Sequence, residues 1–136
     1  MISPTIDSLR IYLHILAVTV WVGGQFVLAG IVPSLRRDAP NALPIVAKGF
    51  AKVAWPAMIL IVFTGAWGLG TMDASGQSSS YMATFGIKML MVGIAIIATV
   101  IHSAGTTQLA KALGGAVGLL ASLLAAYTGI LLAHVG

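Results

Sequence analysis

The stretch LRIYLHILAVTVWVGGQFVLAGIV, residues 9–32, decides the fold class. Arg10 is its one charged side chain, and His14, Thr19 and Gln25 are scattered through an otherwise apolar run. A helix crossing a hydrocarbon core of about 30 Å needs roughly 20 residues at about 1.5 Å each, so this run is long enough to span a bilayer. Three more runs of the same kind follow, over about 43–69, 81–104 and 112–134. The whole chain of 136 residues is 59% hydrophobic and 7% charged, with a mean hydropathy of +1.03, whereas a soluble domain carries about 25% charged residues. The composition excludes a soluble globular protein. The expected fold is all-α and integral to the membrane: a single domain over residues 1–136 with four transmembrane helices. Their short connections predict an up-down-up-down antiparallel bundle.

The cations set the expected orientation. Arg36, Arg37, Lys48 and Lys52 flank the first connection and Lys111 lies in the third, while the second, residues 71–80, has no base and contains Asp73. By the positive-inside rule this puts both termini and the second connection outside, in what reads as a bacterial cytoplasmic membrane. The net charge of +4 and pI near 9.9 are therefore topology signals, and no nucleic-acid partner is expected. The first span is too long, and lacks the basic leader, for a cleaved signal peptide, so it is expected in the mature protein.

Local signals fill in the spans. Ser3 and Pro4 read as the N-cap and first turn of the first helix, with Asp7 near its positive end. Pro56 after Trp55 is expected to kink the second helix or to begin its embedded part. Tyr12, Trp67 and Tyr81 fit an interfacial aromatic belt. The polar Gly/Ser-rich loop over residues 73–80 reads as mobile. Gly114, Gly118, Ser122 and Ala126 form a small-residue seam that serves either the bundle interior or an oligomer. The lipid bilayer is the surrounding partner, and a homo-oligomer or a membrane-complex partner is expected beside it.

With no cysteine in the chain, disulfides, thiolate zinc sites, iron–sulfur clusters and covalent haem attachment are excluded, and any metal must use His, Met, Lys or backbone oxygen. Polar groups inside spans cost free energy unless paired, ligated or hydrated, which singles out His14, Gln25, Lys88, His102 and His134. His14, Trp21 and Gln25 fall on one stripe of the first helix, expected to face the bundle interior. Lys88, Thr99 and His102 share a face of the third, and Tyr127 and His134 a face of the fourth. Counted from the outer boundary, His14 and Lys88 lie at similar depth, His134 is slightly shallower, and His102 is near the opposite side. Two ligand sets follow. His14 with His134 or Lys88 can supply the axial pair of a haem b. A copper ion can take His14 and His134 with a thioether from Met72 or Met82. Plainer roles stand beside these: interfacial hydration for His102 and His134, snorkelling or pairing with Asp7 or Asp73 for Lys88, an interhelical hydrogen bond for His14, and gap-filling for the methionines.

The stretch from Tyr12 to Gly24, with a His, six residues, then Trp and two Gly, resembles the first helix of CopD-type copper-resistance membrane proteins. Gly49-Phe50-Ala51-Lys52-Val53-Ala54 leading to Thr64-Gly65 resembles the second helix of that family. Tyr81 to Met91, containing Gly86-Ile87-Lys88-Met89-Leu90, resembles its third. CopD proteins are larger, so this chain corresponds to a minimal four-helix unit that dimerises. The resemblance implies copper binding or transport across the cytoplasmic membrane, with His14 and His134 as an outer site, helped by Met72 or Met82, and His102 as an inner exit. The same His-x6-Trp helix and the in-membrane Lys88 are similar to HemJ-type haem proteins, which implies the alternative: a b-type haem protein for electron transfer or an oxidoreductase role. Where those proteins end the first helix with Pro-Arg-Leu, an aromatic and His, this chain has Val32-Pro33-Ser34-Leu35-Arg36-Arg37. A third reading is an accessory subunit of a larger membrane complex. No catalytic residue is assigned.

Overall fold

The computed structural model describes residues 1–135, and four long helices carry the chain: α1 (Ile6–Asp38), α2 (Leu43–Thr71), α3 (Ser79–Ala104) and α4 (Gln108–Val135). Short 3-10 turns lie at Pro40–Ala42 and Ala74–Gly76. All four helices are long and apolar enough to cross a membrane. Each extends beyond the apolar run that announced it, because hydropathy marks where lipid begins and backbone hydrogen bonding marks where a helix ends. Ser34, Arg36, Arg37 and Asp38 are helical in α1 although none is apolar. The chain forms two compact units, residues 1–72 and residues 73 onward, each built on one helical hairpin.

In the first unit, α1 starts one residue after Thr5. The Thr5 hydroxyl accepts the Ser8 amide at 3.0 Å and the Ser8 hydroxyl accepts the Thr5 amide at 2.9 Å. This reciprocal box satisfies two otherwise orphaned donors. It places the cap at Thr5 in place of Ser3, because Ser8 supplies the return hydrogen bond at the third helical position. Asp7 in the first turn and Arg36 and Arg37 in the last complement the helix dipole. Pro56 neither begins nor ends α2, which runs on from it to Thr71; proline removes a single donor, and in an apolar setting the remaining backbone bonds have no water to exchange with. Buried positions are Ala17 and Trp21 on α1 and Ala54, Ala57, Met58, Ile61 and Thr64 on α2. The Phe50 ring lies over Gly24, where any Cβ would collide with it.

In the second unit the small-residue seam packs against α3. A Cβ on Gly114 would stand 2.7 Å from both the Ala98 carbonyl oxygen and the His102 amide nitrogen, and one on Gly118 would lie 3.6 Å from the Ala98 methyl. Glycine there permits the close approach of the two backbones. The polar stretch after α2, expected to be mobile, is organised by its own side chains. Asp73 Oδ1 accepts from the Ser75 amide at 3.0 Å and the Ser75 hydroxyl at 2.6 Å, and Ser78 caps α3 by accepting the Tyr81 amide at 3.1 Å.

Within the apolar lengths, hydroxyls turn back onto their own helices. Thr19 donates to the Ile15 carbonyl at 2.8 Å, Thr99 to Ala95 at 2.7 Å, Ser122 to Gly118 at 2.7 Å and Thr128 to Leu124 at 2.9 Å. Each polar group is thereby satisfied without water.

Candidate metal site

The hairpin of α1 and α2 sets His14 against Thr64, a fully buried residue. His14 Nδ1 and Thr64 Oγ1 are 2.7 Å apart, and Thr64 Oγ1 also lies 2.6 Å from the Leu60 carbonyl oxygen and 3.2 Å from that of Ile61. A hydroxyl has a single proton to donate, and the carbonyls can only accept. In the tautomer with Nδ1 protonated, Thr64 Oγ1 accepts from His14 while its own proton goes to Leu60, and the lone pair resides on Nε2. Gly65 borders the ring, where a Cβ would stand at an ordinary van der Waals distance of 3.7 Å from His14 Cε1.

One turn earlier on α1, Arg10 runs across the same part of α2. Its Nε lies 2.9 Å and its Nη2 2.8 Å from Asp7 Oδ1, and Nη1 makes a long 3.5 Å contact to the Thr64 carbonyl oxygen. The side chain is 17% exposed while Asp7 is 61% exposed. Gly68 makes the room, since a Cβ there would stand 2.6 Å from Nη1. Thr64, Gly65 and Gly68 thus receive His14 and Arg10 as a set. Sequence reasoning missed Arg10, Gly68 and the Thr64 partnership. Two long polar side chains spaced i, i+4 on one helix, with small residues spaced i, i+1 and i+4 on the next, were the available signal.

Trp21 is 5% exposed, as the inward stripe requires. Gln25 is half-buried, and its side-chain amide donates to the Trp21 carbonyl at 3.3 Å. A polar neighbour of His14 was expected on the third or fourth helix; Thr64 on the second is a polar partner that the sequential hairpin brings to it.

The remaining predicted residues, apart from Met72 at the C-cap of α2, belong to the second unit. Lys88 is half-buried on α3, with its ammonium nitrogen 3.4 Å from where a Gly129 Cβ would stand. His102 is exposed, and its Nδ1 donates to the Lys111 carbonyl at 2.6 Å, tying the end of α3 to the start of α4. Met82 is half-buried near the start of α3; Tyr127 and His134 are exposed on α4. Among the described residues no group of three or more His, Cys, Asp or Glu side chains converges to hold an ion.

No family model, curated protein or solved structure matches this chain.

Proposed function

We propose that this chain is a CopD-like integral protein of the bacterial cytoplasmic membrane in which His14 offers Nε2 as a ligand atom to a metal centre within the membrane. The observation that carries the reading is the 2.7 Å hydrogen bond between His14 Nδ1 and Thr64 Oγ1. Ligating histidines commonly donate their other ring N–H to a fixed acceptor, which sets the tautomer and the ring orientation.

Two metal groups suit this donor set. A b-type haem takes one or two imidazoles and carries propionates that favour a cation; His14 supplies the ligand, and Arg10, one turn away, supplies the cation. Copper takes imidazole and thioether ligands, and the likeness of Tyr12–Gly24 to CopD helices favours it, with His134, Met72, Met82 and His102 as the additional path ligands. Arg10 keeps hydrogen-bond donors on Nη1 beyond its pairing with Asp7, which suits a propionate carboxylate, so we take haem b as the first reading and copper as the second. The accompanying topology is the up-down-up-down bundle with both termini outside, assembled as a homo-oligomer or with a membrane-complex partner.

The test is a pyridine-haemochrome assay together with metal analysis on the purified protein and on His14→Ala. The haem reading expects a Soret band and a b-type haemochrome that His14→Ala abolishes. Copper without a Soret band, again lost in His14→Ala, selects the second reading. Protein free of both overturns the metal site and leaves the accessory-subunit role.

A further inference from the structure

We propose that one exposed face of α2 binds an anionic glycerophospholipid, its phosphate at Lys48 and Lys52 and its acyl chains along Ile59 and Phe63.

Positions 45, 48, 52, 55, 59 and 63 of α2 fall within about 80° of one another at 100° per residue, so they form one stripe. All of it is exposed: Ile45 is 74%, Trp55 37%, Ile59 68% and Phe63 62% accessible, with Lys48 and Lys52 also exposed. Beyond Ile45 in the first turn, the stripe changes character in order, two ammonium groups, then an indole, then two large apolar side chains. That order matches the headgroup, interfacial and hydrocarbon depths of one leaflet, and Trp55 to Phe63 spans about 12 Å of the roughly 15 Å that half a hydrocarbon core provides.

The charges need a partner from outside the chain. Its three acidic residues are Asp7, Asp38 and Asp73. Asp7 is taken by Arg10, Asp38 by Arg37 at 3.1 Å, and Asp73 by Ser75. Among the described residues Lys48 and Lys52 have no hydrogen bond or ion pair, and at i, i+4 they repel each other. A lipid phosphate between them supplies the missing countercharge. A net-negative headgroup does so better than a zwitterionic one, whose own ammonium competes. Pro56 adds a polar feature at the same depth: it has no N–H for the Lys52 carbonyl, which suits a headgroup bearing hydroxyl donors, such as glycerol.

The experiment measures tryptophan quenching in phosphatidylcholine vesicles containing equal amounts of brominated phosphatidylglycerol or brominated phosphatidylcholine, with Trp55→Phe defining the Trp55 contribution. The expected result is a Trp55 component quenched about twofold more by the anionic lipid, a preference lost in Lys48→Gln/Lys52→Gln and kept in Arg36→Gln/Arg37→Gln. Circular dichroism confirms that each variant stays helical. Equal quenching by the two lipids overturns the proposal, as does a preference that survives Lys48→Gln/Lys52→Gln. A preference lost equally in the arginine variant also overturns it, since it reports general surface charge and no site.

Discussion

His14 and Arg10 reach α2 one turn apart, and each depends on a residue that contributes almost nothing by bulk. Thr64→Val keeps the shape and deletes the oxygen that accepts from His14 Nδ1. It is expected to lower retention of the bound metal group and to cost about 1 kcal/mol of stability, whereas Thr64→Ser keeps both; haemochrome yield and thermal melts in detergent distinguish them. Gly68→Ala places a methyl 2.6 Å from Arg10 Nη1. The flexible end of the Arg10 side chain shifts to clear it, so the variant is expected to melt within about 1 kcal/mol of wild type while the Arg10 contact with the Thr64 carbonyl changes. Outside the spans, hydrogen bonds from the Ser75 side chain and then its backbone hold the fully exposed Asp73 carboxyl below the ordinary carboxylate value of 3.8. A lowered folded-state value means that the stabilisation is present above the unfolded-state value and fades as pH falls through the folded-state one. Asp73→Asn should therefore flatten the acid limb of melting temperature against pH. At this scale the inward polar role of His14 was legible, because a histidine deep in an apolar run must be paired or ligated. Its partner was not, since Thr64 is one of several hydroxyl residues whose lipid-span role is to bond back to its own helix.

The helices were legible as elements, and their contacts only in part. Four apolar runs announced four helices, yet the caps lay elsewhere: Thr5 prevails over Ser3 because Ser8 returns its hydrogen bond, a reciprocity that a single-residue preference does not reveal. The seam on α4 was visible as spacing alone, and spacing is equally suited to an internal neighbour or to another copy. The Gly114 and Gly118 contacts with Ala98 and His102 assign these two positions to α3. Gly114→Leu is expected to force α3 and α4 apart. The measurement is protease sensitivity of the short connection after Ala104 together with thermal stability. Gly93→Leu on α3, where no atom lies within 4 Å of the added Cβ, should leave both near wild type.

For the molecule as a whole, the expected orientation leaves the connection between α1 and α2 inside. Arg37→Cys in the cysteine-free chain should resist a membrane-impermeant maleimide in intact cells and react after permeabilisation; labelling in intact cells would reverse the topology. By itself the sequence determined the helical class and the number of runs long and apolar enough to cross a membrane. These follow from summed hydropathy over about 20 residues and from the rule that backbone polar groups in lipid must be satisfied within the helix. Only the tertiary structure decided that His14 meets Thr64, that Arg10 lies in the space left by Gly68, and that the α4 seam receives α3. Periodicity states which side of a helix a residue occupies. Partner identity depends on the axial register and rotation of the neighbouring helix, and these are set by close packing of atoms distant in the sequence.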